Sequence, residues 1–339
     1  MSSPAAQQPS PQLIFQTINA YQRTEALKAA IELGVFSAIG RGKFTATQIA
    51  NTCKASERGM RILCDFLCIM GFLGKEGALY FNTPDSAIFL DQSSPAYLGG
   101  ITGFISSPEL VDAFRNFADS VRKGGTTLPQ EGTVSSDNPI WVSFARAMAP
   151  MMAMPAQQLA RLVDPSGDQK LKILDIAAGH GLYGIAFATN NQQAQIVALD
   201  WANVLQVAKE NAQKAGVGDR YSTIEGSAFD VDYGKEYDLV LLTNFLHHFD
   251  AETNEALLRK VYAALKDGGR AVTVEFVPNE DRITPPDAAS FSVTMLGSTP
   301  SGDAYTFAEF EKMFANAGFK RSEIQPLPMS IEQVVISYK

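Results

Sequence analysis

The chain has 339 residues, 46% of them apolar and 19% charged, which is enough to bury two cores and is ordinary for a globular protein. Its 28 basic and 36 acidic residues leave a net charge of −8, which gives no electrostatic footprint for nucleic acid or for an anionic membrane. The N-terminus lacks the basic and apolar regions of a signal peptide, and no apolar run approaches the ~18 residues a membrane span needs, so a cytoplasmic protein is expected.

Residues 1–11, rich in Pro, Ser, Gln and Ala, read as a disordered tail. From Leu13 to Leu33 apolar residues recur at helical spacing (Leu13, Ile14, Ile18, Tyr21, Leu27, Ala30, Ile31), and Gly34 ends that helix. Val35 to Ile39 reads as a short apolar turn, Ala46 to Thr52 as a small helix. Ser56 starts a longer helix through Phe72 with Ile62, Phe66 and Ile69 on its inner face. Gly74 to Gly77 and Ala78 to Asn82 give two short strands. The order helix, helix, helix, hairpin outlines a winged helix over residues 12–105. Such modules read DNA elsewhere, but Arg58 and Arg61 stand beside Glu57 and Asp65 with no supporting basic cluster. A packing and dimerisation module suits the apolar content of residues 13–39 better. Cys53, Cys64 and Cys68 read as reduced buried thiols, since no His or Cys cluster accompanies them as metal ligands.

Residues 106–165 read as connecting helices. Leu110, Phe114, Phe117 and Val121 mark one face of a helix from Pro108 to Gly124, and a Gly/Thr/Ser-rich loop follows to Asn138. Trp141, Phe144, Met148, Met151, Met152 and Met154 then crowd a segment broken by Pro150 and Pro155. These side chains suit a wall for a planar apolar substrate and equally suit filler between domains.

Residues 166–339 alternate strands with helices. The strand candidates are Leu171 to Ile176, Gln195 to Asp200, Arg220 to Glu225, Tyr237 to Asn244 and Gly269 to Phe276, a parallel α/β pattern. A helix from Thr306 to Ala317 is followed by Arg321 to Pro326 and Gln333 to Tyr338, which reads as a hairpin closing the sheet.

The first of these strands runs into Asp175-Ile-Ala-Ala-Gly-His-Gly-Leu-Tyr-Gly184, a strand, tight turn and helix start. Gly179, Gly181 and Gly184 satisfy the dinucleotide spacing, with Asp200 at roughly the ~20-residue offset of a ribose ligand. Asp175 decides between ligands. A carboxylate there repels a pyrophosphate and favours a ligand carrying an ammonium and a sulfonium, which is S-adenosylmethionine. His247 and His248 lie in Asn244-Phe-Leu-His-His-Phe-Asp at the end of the fourth strand, which neighbours the first across the switch point, so they face the cofactor pocket. His180 is assigned no role, and the three histidines fit no metal-ligand spacing.

Residues 172–339 resemble the class I S-adenosylmethionine-dependent methyltransferases. With the winged-helix outline, nearly the whole chain resembles the plant and bacterial O-methyltransferases of phenolic small molecules, such as caffeic acid and isoflavone O-methyltransferases. The resemblance implies a Rossmann-like sheet with an antiparallel C-terminal hairpin, a mainly α-helical winged-helix domain that pairs two chains as a homodimer, S-adenosylmethionine as cofactor, and a small-molecule acceptor with an aromatic or polyketide-like hydroxyl. Asp175, Gly179 and Gly181 match the family's first motif, with Ala177 and Ala178 where glycine is common. Asp200 is expected to take the ribose hydroxyls and Trp201 to cover the adenine. Gly226-Ser227-Ala228-Phe229 stands for Gly-Asp-Met-Phe, and Thr243 for a lysine of the fourth strand. His247 occupies the general-base position, with His248 in place of an aspartate, and Glu275 matches the acid that orients the base. Ala304 stands where some relatives carry a second glutamate, with Asp303 as a replacement. Phe144, Met148, Met151, His248, Phe291 and Met295 are the expected acceptor wall. Transfer to carbon or nitrogen, a non-methylating relative, and a winged-helix regulator sensing S-adenosylmethionine remain open.

Overall fold

The structure is a computed structural model that describes residues 9–129, 132–134 and 140–339. Residues 1–8 of the expected tail, and residues 130–131 and 135–138 of the expected loop, lie outside the described residues. The chain divides into two compact units, Met1–Thr102 and Gly103–Lys339.

In the first unit the expected Leu13–Leu33 helix is two helices, α1 (Gln12–Ile18) and α2 (Ala20–Glu32). Asn19, at φ −89° and ψ 0°, interrupts them in the bridge region of backbone space. None of the α1 side chains is buried in this chain, and Leu13, Ile14, Phe15 and Ile18 are 60–73% exposed. Val35–Ile39, expected as a turn, is a helix (α3) entered through Gly34 at φ 71°. Next come β1 (Phe44–Thr45) and α4 (Ala46–Thr52), which starts on a reciprocal cap between Thr45 and Gln48. Helix α5 (Glu57–Met70) starts on Ser56, whose Oγ accepts the Gly59 N–H, and stops at Gly71.

The buried stripe of α5 is Met60, Cys64 and Leu67; Ile62 and Ile69, expected inside, are 42% and 80% exposed. Each lies about half a turn from that stripe, so the i, i+4, i+7 spacing from Met60 outweighs their apolarity. Strands β2 (Leu73–Glu76) and β3 (Leu79–Asn82) complete a small antiparallel sheet of order β1-β3-β2, followed by α6 (Pro84–Phe89). The three cysteines are free thiols, and burial pushes the Cys64 thiol up to about 12. Arg61 and Lys75 both pair with Asp65.

The second unit opens with α7 (Thr102–Ile105), α8 (Pro108–Arg115) and α9 (Phe117–Lys123). A single helix was expected over the last two. The break at Asn116 takes Phe114 and Val121 off a common inner face, and they are 41% and 58% exposed. Helix α10 (Ile140–Val163) continues through both Pro150 and Pro155, where a broken segment was expected. The fixed φ of proline suits a helix, and each ring forfeits one intrahelical donor. Met152, Ala156, Leu159, Ala160 and Val163 form its buried face.

The remaining elements are β4 (Lys172–Ile176), α11 (Leu182–Asn190), β5 (Gln195–Asp200), α12 (Ala202–Lys214), β6 (Tyr221–Glu225), β7 (Tyr237–Thr243), α13 (Ala251–Ala264), β8 (Leu265–Glu275), α14 (Pro286–Ser298), α15 (Phe307–Asn316), β9 (Arg321–Pro326) and β10 (Gln333–Tyr338). They build a seven-stranded sheet of order β6-β5-β4-β7-β8-β10-β9. Only β10 runs antiparallel, set between β8 and β9 as the expected C-terminal hairpin. Apolar side chains cover both faces. Leu174, Val240 and Leu242 pack toward α13 and α15, while Ile173, Leu239 and Leu241 pack toward α10 and α11. The chain reverses direction across the sheet between β4 and β7, so the loops after these two strands open into one crevice.

Candidate active site

The turn after β4 has the shape the glycines dictate. Gly179 and Gly181 take φ of +56° and +74°. A Cβ on Gly181 would lie 2.5 Å from the Tyr221 hydroxyl and 2.9 Å from the Ala208 Cβ, so both conformation and space require glycine there. Ala177 adopts φ +54°, a left-handed conformation in which glycine is common, and Ala178 is buried against Ala198 and Leu205.

Asp175 is fully buried, and its Oδ2 accepts the Gly184 N–H at 3.1 Å, bracing the start of α11. Burial raises its pKa to about 7. It is sealed within the turn, and its other oxygen, Oδ1, is left without a hydrogen-bond partner. Asp200 does lie at the turn. Its Oδ2 accepts the Gly179 N–H at 2.8 Å and its Oδ1 accepts the Trp201 N–H at 2.7 Å, while burial raises its pKa to about 6 against these two donors. Each oxygen keeps a further acceptor position for a ligand hydroxyl. Trp201 packs against Val204, Val207 and Ala145 beside Trp141. The next loop joins at Gly226, φ +134°, whose N–H donates to the Asp200 carbonyl at 3.0 Å. Ser227 Oγ accepts the Phe229 N–H, and Phe229 meets Phe249 edge-on with centroids 4.9 Å apart. Thr243 is buried at the end of β7.

Beyond β7 a short 3₁₀ turn, Leu246–His248, carries the histidines. His247 Nδ1 lies 2.5 Å from Glu275 Oε2, and both residues are buried. The other oxygen, Oε1, accepts the main-chain N–H groups of Phe245 at 3.0 Å, Leu246 at 2.8 Å and His247 at 3.4 Å. Glu275 is thus clamped at the end of β8, and it occupies Nδ1 so that Nε2 is the nitrogen left for chemistry.

Aromatic rings surround the pair. Phe291 stands edge-on to His247 at 4.8 Å and stacks on Phe276 at 4.0 Å. The His248 ring is 4.3 Å from that of His247 and meets Trp141 edge-on at 5.4 Å. Burial, and then the neighbouring His247, hold the His248 pKa well below the usual imidazole value. Phe144 contacts Trp141 and Phe104, and Met295 is buried one helical turn from Phe291. Met148 is half-buried, but Met151 is 37% exposed; Met152 is the residue turned inward, its sulfur accepting the Tyr183 hydroxyl. Helical phase explains the exchange, because Met152 falls seven residues after Ala145 and four before Ala156 on the buried stripe, and Met151 lies one residue off it.

Asp303 does not replace the second glutamate, because its carboxylate faces Arg282 while its main-chain N–H donates to the His247 carbonyl at 3.0 Å. Glu332, just before β10, is instead the further buried carboxylate that electrostatically senses Glu275 and His247, and burial raises its pKa. Sequence reasoning missed Glu332, Phe276 and Phe104. Among the described residues no group of three or more His, Cys, Asp or Glu side chains is placed to hold a metal ion.

The O-methyltransferase domain family matches residues 114–320, and the O-methyltransferase dimerisation domain matches residues 15–92. The chain belongs to the O-methyltransferase family. This O-methyltransferase is 28% identical over 311 residues to the 3-hydroxy-5-methyl-1-naphthoate 3-O-methyltransferase of Streptomyces sahachiroi, covering 91% of this chain and 89% of that one. A crystal structure from Nostoc punctiforme, named as a candidate O-methyltransferase, superposes with a TM-score of 0.95 at 55% identity, covering 98% of this chain and all of the other. The PigF structure with S-adenosylhomocysteine, from a protein also known in Serratia, superposes with a TM-score of 0.86 at 25% identity, covering 98% of this chain and 100% of that one. The enzyme is an S-adenosylmethionine-dependent O-methyltransferase of the small-molecule type, and no described helix is long and apolar enough to cross a membrane.

The turn fits that cofactor. Asp175 Oδ1 and the Tyr221 hydroxyl are buried without a hydrogen-bond partner, the hydroxyl against Gly181, and the Asp200 carboxylate is positioned by two N–H groups with lone pairs to spare. A polar ligand against Gly179 and Gly181 suits such a cradle, and no pyrophosphate-neutralising basic side chain belongs to it.

Proposed function

We propose that this O-methyltransferase methylates a hydroxyl of an aromatic or polyketide-like small molecule, with His247 as general base and Glu275 fixing its tautomer. The observation that supports this best is the 2.5 Å contact between His247 Nδ1 and Glu275 Oε2, which leaves Nε2 free beside the Phe276 and Phe291 rings. Bound S-adenosylmethionine supplies an electrophilic methyl group. The acceptor oxygen forms its bond to that carbon as the carbon–sulfur bond breaks, and the hydroxyl proton passes to Nε2. Base catalysis of this kind is worth roughly 10²- to 10⁴-fold, and alignment of acceptor and methyl supplies the rest.

Asp200 takes the ribose hydroxyls, and the Phe144, Met148, His248, Phe291 and Met295 side chains, with Trp141 and Phe276, form the acceptor wall. A ring-lined wall and a neutral His248 favour a flat, weakly polar acceptor over a charged one. Pairing of two chains through the dimerisation domain covers the exposed apolar side chains of α1.

The test is a screen of hydroxylated naphthoates, phenols and polyketide-like phenols with isotope-labelled S-adenosylmethionine, with product structure determined by NMR. Label on oxygen in a flat hydroxylated acceptor supports the reading. Label on carbon or nitrogen, or turnover only of aliphatic alcohols, overturns it. An Asp200→Ala variant serves as the cofactor control and is expected to bind S-adenosylhomocysteine at least tenfold more weakly, as the loss of hydrogen bonds to a charged group implies (about 1.5–3 kcal/mol).

A further inference from the structure

Lys260, on α13, is placed in an unusual way. Among the described residues it pairs with no carboxylate within ion-pair distance. It points all its donors at main-chain carbonyls, those of Ala228 at 3.0 Å, Phe229 at 2.6 Å and Val231 at 3.1 Å. The ammonium also lies over the Tyr233 ring, 4.6 Å from its centroid, and the Tyr233 hydroxyl donates to the same Ala228 carbonyl. Taking a cation partly out of water to gather three carbonyls of one loop is costly unless the shape of that loop matters.

The loop is the one that leaves β6 beside the ribose-side carboxylate. At its start the Gly226 N–H donates to the Asp200 carbonyl; within it the Asp230 and Val231 N–H groups donate to the Ser227 carbonyl. With the three carbonyls drawn to Lys260 on one side and Gly226 tied to Asp200 on the other, the backbone from Gly226 to Val231 is fixed at both ends. On the placement proposed above, with the ribose on Asp200, this loop is the neighbour available to the base, since its first residue is bonded to the Asp200 carbonyl. The same helix reaches the turn that carries His247 and His248, because the Asn254 side-chain amide donates to the Leu246 carbonyl at 2.9 Å and to that of Phe249 at 3.3 Å. Helix α13 therefore holds both the loop after β6 and the turn after β7.

We propose that Lys260 is a positioning residue for the nucleoside end of the cofactor, setting the Gly226–Val231 loop through its three carbonyls without touching the ligand. The inference rests on the cofactor placement above and separates from it experimentally. The full-length protein, wild type and Lys260→Met, is titrated calorimetrically with S-adenosylhomocysteine and with adenosine, and steady-state kinetics are measured at saturating acceptor. Lys260→Met keeps the stem and removes every donor. Both dissociation constants are expected to rise at least tenfold, the KM for S-adenosylmethionine to rise with them, and kcat to stay within about threefold. Tyr233→Phe, which removes only the hydroxyl on the Ala228 carbonyl, is expected to weaken binding by about threefold and serves if Lys260→Met does not fold. Unchanged affinity in Lys260→Met, a loss seen with S-adenosylhomocysteine but not adenosine, or a loss confined to kcat overturns the proposal. Failure of the wild type to bind S-adenosylhomocysteine overturns the cofactor placement itself.

Discussion

Glu275 holds His247 through one carboxylate oxygen while its other oxygen is held by the N–H groups of residues 245–247. The carboxylate cannot rotate without abandoning either the imidazole or the turn that carries it. Orientation of the His247 imidazole is thereby built into the end of β8.

Glu275→Gln tests this clamp. The amide oxygen can serve the three N–H groups or His247 Nδ1, but no single amide reproduces two ionised acceptors. A fall in kcat of at least tenfold, with the KM for S-adenosylmethionine within about twofold, is expected from initial rates. Retention of more than half the wild-type kcat means that the acid does not orient the base.

Asp175 carries a pH signature. Burial raises its pKa from the ordinary carboxylate value of 3.8 to about 7. Its contribution to stability is therefore fully present below pH ~4 and is lost as pH rises through about 7, where the folded state must ionise a sealed carboxyl. Asp175→Asn keeps an acceptor for the Gly184 N–H and cannot ionise. Denaturant unfolding without cofactor is expected to show the variant gaining on the wild type between pH 4 and pH 8. A difference that is flat over that interval contradicts the assignment.

Gly181→Ala is expected to be severe for a named reason. The added methyl meets the Tyr221 hydroxyl and Ala208 while the backbone stays at φ +74°. Strain of left-handed alanine alone is about 1 kcal/mol, and overpacking adds 1–3 kcal/mol. Chemical denaturation reporting a loss below about 1 kcal/mol, with cofactor affinity retained, means that the turn relaxes freely.

What was legible in the sequence is what depends on local pattern. Gln195–Asp200, Arg321–Pro326 and Gln333–Tyr338 fall where the reading put them; the first and last are apolar runs bounded by polar residues, while Arg321–Pro326 is mostly polar and sits at the sheet edge. That β7 lies beside β4, which sets the histidine turn and the glycine turn at the same end of neighbouring strands, followed from strand order, whereas Glu275 was singled out by the family resemblance. Contacts set by packing between distant segments were not legible. Lys260 reaching the Ala228–Val231 carbonyls, Phe276 stacking on Phe291 and Glu332 entering beside Glu275 each need the tertiary fold. The same limit explains Met151, where apolarity pointed inward and helical phase turned the side chain out.

The most direct measurement is the single-turnover rate of methyl transfer to a phenolic acceptor by wild type and His247→Ala across pH. A phenol ionises by itself near pH ~10, so a base is needed at neutral pH and becomes dispensable in alkali. The expected result is a loss of about 100-fold or more at pH 7 that shrinks to within tenfold as pH approaches 10. A loss below tenfold at pH 7, or the same loss at every pH, contradicts His247 as the general base.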